Sequence, residues 1–322
     1  MTRGTAKGTA GGIVPALAAY LIWGLSPIFW KWLASVAPDR IIALRILWSF
    51  VLVMLVLAFS RGLGKLRDAL RDPRERWLLV VAAVLIAINW LTYIVAVNGG
   101  MLVAGSLGYY INPLVSFALG ILVFRERLRP AQIAAIALAV AGVAVETAEA
   151  GQLPWISLVL AFSFGFYGLI KKKAAVDPAV GLAVETGTLL PFALAFLWFA
   201  PTDGLLGGPS NASSALAVHG PLLDFLLVPM TGVVTAVPLL LFAAGAKKLD
   251  LTMAGFLQYV APTFMLALGV FAYGESFRVA NAISFGLIWA GIALYMGSGV
   301  LAARRAALQK AVEAQETEEP IP

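Results

Sequence analysis

The strongest constraint on this chain is a succession of apolar runs, each long enough to cross a bilayer. Read by length and continuity there are ten, at about 10–33, 39–60, 76–98, 101–124, 130–147, 154–171, 178–200, 220–245, 250–273 and 279–301. A hydrocarbon layer about 30 Å thick takes roughly 20 residues of helix. The runs are rich in Ala, Leu, Val and Gly on every face, as lipid-embedded helices are. They lack the two-residue alternation of membrane β-strands. Of the 322 residues 61% are hydrophobic and 12% charged, about half the charge of a soluble domain. That is too little to cover a water-facing surface, which argues against a soluble enzyme or a disordered chain. The net charge of +6 sits in short runs between apolar stretches, not on one folded face, so no nucleic-acid partner is expected. The chain has no Cys and one His, His219, so no Cys- or His-rich metal site and no cofactor is expected.

The expected fold class is therefore all-α integral membrane, with ten transmembrane helices. Arg3 and Lys7 precede the first run, but no proper apolar core stands ahead of the small triplet Ala16-Leu17-Ala18, so the run reads as a retained helix rather than a cleaved signal. Ten helices place alternate loops on opposite sides. One side collects Arg3 and Lys7, six basic residues between Arg61 and Arg76, Arg125, Arg127 and Arg129, Lys171, Lys172 and Lys173, Lys247 and Lys248, and Arg304, Arg305 and Lys310. The other side has Lys31, Arg40 and Arg278, and Arg45 lies inside a helix. The positive-inside rule then puts both termini in the cytoplasm of an inner (plasma) membrane protein.

A repeat runs at a constant offset of 149: Tyr110 with Tyr259, Pro113 with Pro262, Gly120 with Gly269, Glu126 with Glu275, Arg129 with Arg278, Gly142 with Gly291. Each half has five helices, an odd number, so the second half enters the membrane inverted. The division expected is a cytoplasmic N-terminus at 1–9, a first repeat at 10–147, a second at 154–301 and a disordered cytoplasmic tail at 302–322. Inverted repeats are the architecture of many secondary transporters, with substrate held near the midplane between the halves.

Candidate site residues follow from what is costly or paired. Glu185 stands inside the seventh run, where a charge costs about 2.5–3.5 kcal/mol even on a lenient insertion scale. It reads as a proton-coupling or substrate-orienting carboxylate, or else as a structural hydrogen bond or a side chain reaching toward Lys173. Arg45 either faces the pathway and attracts an anionic group or snorkels to the outer interface. No contact between Arg45 and Glu185 is expected, because the inversion puts them on opposite sides of the midplane. Asn112-Pro113 and Ala261-Pro262 are matched helix breaks; each proline frees a carbonyl one turn earlier, at Tyr109 and Gln258. Asn89, Trp90 and Tyr93 share a helix face. With Trp23, Tyr167 and Tyr259 they form an aromatic lining for amphipathic cargo, or else an interfacial belt. Glu126 and Glu275, beside loop starts, read as helix caps or ion-pair partners of Arg129 and Arg278.

The motifs Tyr20-Leu21-Ile22-Trp23-Gly24, Arg45-Ile46-Leu47-Trp48-Ser49 and Asn89-Trp90 resemble those of RarD proteins. So do Ser106 to Leu114, Ala161 to Gly168, Lys172-Lys173, Glu185-Thr186, Pro238-Leu239, Gly255 to Tyr259 and Ala261-Pro262-Thr263. The resemblance keeps the motif order from the first helix to the last. It implies an EamA-type permease of the drug/metabolite transporter superfamily, with two EamA repeats and a name linked to chloramphenicol handling. The chain departs from that pattern in three places. Arg40 and Leu44 stand where an acidic residue and a His precede the Arg of the second helix, and Ala104 stands where a Glu precedes Ser-Leu-Gly-Tyr.

The expected activity is secondary transport of small organic metabolites or drugs across a lipid bilayer by alternating access, coupled to protons through Glu185. No P-loop is present to drive a primary pump. The rival readings are a membrane-embedded enzyme, against which the lack of H-E-x-x-H and G-x-S-x-G patterns counts, and a non-transporting scaffold, which would not need paired mid-membrane prolines.

Overall fold

The computed structural model describes residues 4–124, 130–201, 205, 221–246, 249, 257–294 and 296–298. The expectations for Glu126 and Arg129 and for the tail at 302–322, and the single histidine, His219, fall outside the described residues. The described residues are helical throughout their regular structure: α1 (Gly4–Trp32), α2 (Pro38–Phe59), α3 (Leu63–Arg71), α4 (Pro73–Asn98), α5 (Leu102–Phe124), α6 (Pro130–Ala150), α7 (Trp155–Lys173), α8 (Pro178–Phe199), α9 (Pro221–Ala246) and α10 (Val260–Ala267). A π turn, Leu268–Ala272, continues α10, and α11 covers Val279–Ser298. Among the described residues six helices are long and apolar enough to cross a membrane, and shorter apolar helices lie at Leu102–Val115, Trp155–Lys171, Leu226–Phe242 and Val260–Ala272.

Helix starts follow local chemistry. Asp72-Pro73 opens α4: the Asp72 carboxylate accepts from the backbone N–H of Arg74 at 2.8 Å and of Glu75 at 3.3 Å, and proline fills the first helical position, where its missing donor costs nothing. Asp177-Pro178 opens α8 in the same way, with Ala179 N donating to Asp177 at 3.1 Å. One helix was not expected. The stretch after Arg61, read as a loop, contains α3, which turns Leu66 and Ala69 inward and leaves Lys65 and Arg67 exposed.

Large apolar side chains face outward all round the bundle: Phe59, Trp198, Phe199 and Phe271 are each more than four-fifths exposed. In water this would be an aggregation surface, whereas in lipid it is the solvent-matched face. The interior holds the polar groups instead, including Asn89, Ser106, Thr186, Glu185, Thr231, Thr235 and Ser284. Without a hydrophobic drive between helices in lipid, association rests on close packing of small residues and on interhelical hydrogen bonds. The seam of α5 and α7 shows both. Ser157 Oγ donates to the Ala104 carbonyl at 2.7 Å and Asn112 Nδ2 to the Ala161 carbonyl at 3.0 Å. Gly108 lies between them, and a Cβ there would sit 2.7 Å from the Ser157 carbonyl oxygen. Positions 104, 108 and 112 thus meet 157 and 161, four residues apart on each helix.

Three contacts reflect the offset of 149 in the sequence. A Cβ on Gly142 would approach the Ser284 carbonyl to 3.1 Å, and one on Gly291 would approach the Ala135 carbonyl to 2.9 Å. Ser284 and Ala135 are themselves 149 apart, so α6 and α11 cross through equivalent points. Tyr110 and Tyr259 stack directly on each other, with ring centroids 5.9 Å apart and planes at 16°.

Candidate functional site

Three polar groups inside the bundle form the candidate site. The first centres on Asn89 of α4. Its Nδ2 donates to the Leu160 carbonyl at 3.1 Å and to Ser163 Oγ at 3.0 Å, both on α7, while its Oδ1 accepts from Tyr109 Oη of α5 at 3.1 Å. One turn along α4, the Tyr93 hydroxyl is 2.9 Å from Ser26 Oγ of α1, and its ring meets Tyr109 edge to face at 5.9 Å. Phe164 and Tyr167 extend the aromatic row along α7. A buried polar group in lipid must find partners within the protein. Here the partners of the α4 side chains come from three other helices, α1, α5 and α7.

The second group is Arg45. It lies in α2, seven residues past Pro38, and is 6% exposed. Its guanidinium lies over the Trp90 ring at 4.2 Å and over the Trp30 ring at 4.9 Å. Cation–π contacts of a desolvated cation are worth about 2 kcal/mol, but they satisfy the face of the ion and not its N–H groups. Nε and Nη1 have no hydrogen-bond partner among the described residues.

The third group is Glu185, fully buried in α8. Lys171 Nζ of α7 donates to its Oε1 at 2.7 Å, and Tyr167 Oη donates to its Oε2 at 3.1 Å. The ion-pair partner is Lys171, not Lys173. A Cβ on Gly181, one turn before Glu185, would collide with Lys171 Nζ, so glycine there leaves the channel through which the ammonium reaches the carboxylate. Glu185 is seven residues past Pro178, as Arg45 is past Pro38. The two buried charges therefore occupy the same register in helices that pack against each other.

The expected aromatic lining divides into three. Trp90, Tyr93, Tyr109 and Tyr167 adjoin the groups above, whereas Trp23 packs with Tyr20 and Phe242, and Tyr259 stacks on Tyr110. Asn112 is occupied by the α5–α7 seam. The two prolines differ. Pro113 lies inside an α5 that is continuous from Leu102 to Phe124, while Pro262 stands in the first turn of α10, after a turn formed by Gln258 and Tyr259. Glu275 acts as a cap on another helix: its carboxylate accepts from Leu102 N and Val103 N, each at 2.8 Å, at the start of α5. Arg278 lies 3.8 Å from Glu149.

The family model of EamA-like transporters matches residues 10–147 and again 153–297. The chain belongs to the EamA-like transporter family. It is 43% identical over 296 residues to the uncharacterized transporter YojE of Bacillus subtilis, covering 91% of this chain and 95% of that one. It is 40% identical to protein RarD of Escherichia coli, covering 93% and 98%, and 31% identical to the chloramphenicol-sensitive protein RarD of Pseudomonas aeruginosa, covering 88% and 92%. A crystal structure at 22% identity superposes with a TM-score of 0.57 over 92% of this chain and 99% of that one, which shows a shared fold. The resemblance to RarD stands on these relatives, and the chain is a multi-pass membrane transporter of the EamA-like kind.

Sequence reading of this EamA-like transporter overlooked several site residues. Lys171 opens a triple-Lys run that reads as a solvated loop, yet it ends a helix facing Glu185. Trp30 is distant from Arg45 in any local pattern and meets it only after α1 and α2 fold back. Ser26 and Ser163 are small hydroxyls of a kind common in apolar runs, with no spacing that marks them.

Proposed function

We propose that this chain is an inner-membrane secondary transporter that exports small organic metabolites or drugs by alternating access. It carries ten crossing helices in two inverted five-helix repeats and keeps both termini in the cytoplasm. The observation that carries the reading is the row of polar and ionic side chains along the interior of a bundle whose outside is apolar. Intramembrane ionisable groups mark substrate and ion paths. The matched crossing at Gly142 and Gly291, the Tyr110–Tyr259 stack and the two family matches support the repeat. The basic loops support the orientation. In the inverted arrangement Arg45 lies in the outer half and Glu185 in the inner half. Because the relatives include a chloramphenicol-sensitive protein, chloramphenicol is the first cargo to test. Counterflow of labelled chloramphenicol and related organic solutes in proteoliposomes separates a transporter from a membrane enzyme or a scaffold; failure across that set removes the reading.

Glu185 is the proton carrier in this reading. Its protonation releases Lys171 and loosens the tie between α7 and α8 on the inner side. Glu185→Gln keeps the hydrogen bond from Tyr167 but does not ionise. Gradient-driven accumulation should vanish in this variant while cargo-for-cargo exchange persists. A wild-type response to an imposed pH gradient would take Glu185 out of the mechanism.

A further inference from the structure

We infer that Arg45 is an anion-recognition site and that the cargo it serves is a small organic carboxylate with an aromatic body. The inference rests on the transport reading above, in taking the bundle interior as the cargo path. Four charged residues are buried among the described residues: Asp39, Arg40, Arg45 and Glu185. Three are engaged. Asp39 accepts from Arg40 N at 2.9 Å and Leu205 N at 2.5 Å, Arg40 Nη1 donates to the Pro201 carbonyl at 2.8 Å, and Glu185 holds Lys171. Arg45 differs, with Nε and Nη1 buried and unpartnered.

The neighbours of Arg45 explain why the edge stays open. The titratable groups acting on the guanidinium are Tyr93 and Tyr109. Their hydroxyls are already committed, Tyr93 to Ser26 and Tyr109 to Asn89. Trp30 and Trp90 hold the ion by its π contacts and offer no acceptor, since an indole is a donor only. An unpaired buried donor carries its full desolvation cost, which is larger for an ion. A guanidinium fixed by rings and short of acceptors is thus prepared for a carboxylate, which supplies charge and acceptor atoms together. Among the described residues the titratable groups acting on Arg45 are the two tyrosines, with no carboxylate beside it to receive an ammonium, so the matching ligand is a monocarboxylate rather than a zwitterion. The surrounding rings favour an aromatic body.

The test uses the full chain in nanodiscs, titrated calorimetrically with sodium benzoate, phenylacetate and indole-3-acetate and with the three corresponding amides. At least one acid should bind, with its amide at least about tenfold weaker. Arg45→Leu should abolish that binding. Arg45→Lys should weaken it at least about tenfold, because an ammonium does not keep the planar, ring-held geometry. If Arg45→Leu does not yield folded protein, the Lys variant decides. Absence of binding by all three acids, equal binding of acid and amide, or an unchanged Kd in a folded Arg45 variant overturns the inference. Counterflow of chloramphenicol, a neutral solute, is measured alongside. Its survival without carboxylate binding sinks the inference and leaves the transport reading. Carboxylate binding without flux of either the acid or chloramphenicol does the reverse.

Discussion

The ion pair of Lys171 and Glu185 has unequal partners. Glu185 is wholly enclosed, whereas Lys171 keeps about a quarter of its side chain exposed. Removing one member of a buried pair strands the other, at a cost of about 3–5 kcal/mol, while replacing both with neutral groups is often nearly harmless. Lys171→Met should therefore destabilise the protein by about that amount, and adding Glu185→Gln should restore most of it. Denaturant unfolding in mixed micelles measures both. A double variant as unstable as the single one would show that Lys171 acts through packing of its stem instead. The carboxylate was conspicuous in the sequence because a lone charge in an apolar run is costly and so must pair, bond or face a cavity. Its partner was not, because three consecutive lysines at a helix end look the same whether one turns inward or none does. The same holds for Arg45, whose aromatic neighbours come from helices that no local spacing relates to it.

At the scale of helices, the contacts that set the bundle are made by glycines and by single side chains. Gly232 of α9 faces the backbone of Trp48 on α2 so closely that a Cβ would overlap it, and backbone does not yield as a flexible side chain does. A Cβ on Gly168 of α7 would meet nothing within 4 Å. Gly232→Ala should lower stability by about 1–3 kcal/mol through overpacking, and Gly168→Ala should leave it unchanged or slightly higher, since Ala is the better helix former. Thermal unfolding of the two variants side by side checks this; equal melting temperatures would mean that α2 and α9 do not meet at Gly232. Helix positions were legible from apolar length, but the start of α4 at Pro73 lies ahead of the apolar run at 76–98, because Asp72 and Pro73 open the helix before its apolar residues begin. The helix α3 was not, because nine residues with mixed charge look like a loop until Leu66 and Ala69 have a neighbour to cover. Matched prolines were equally visible, but the sequence does not say whether a proline lies inside a continuous helix, as Pro113 does in α5, or in a helix's first turn, as Pro262 does in α10.

For the whole molecule, orientation is the property most open to direct measurement, because the chain has no Cys. Lys65 and Arg71, on the basic side in the proposed orientation, and Leu153 and Leu205, on the opposite side in it, are exposed and suit single cysteines. In intact cells a membrane-impermeant maleimide should label Leu153→Cys and Leu205→Cys and spare the other two until the membrane is permeabilised. Labelling of Lys65→Cys from outside would reverse the orientation and, with it, the assignment of Arg45 to the outer half.

The carboxylate that caps α5 also sets an order of events during synthesis. Glu275 reaches back 173 residues to Leu102. At roughly 5–20 residues per second, a ribosome delivers Glu275 on the order of ten to thirty-five seconds after the N–H groups it will hold. Throughout that interval the start of α5 must satisfy its donors with water or with lipid headgroups. The cap on α5 therefore closes only after the chain has been made as far as Glu275, and the helix start stays within reach of water until then.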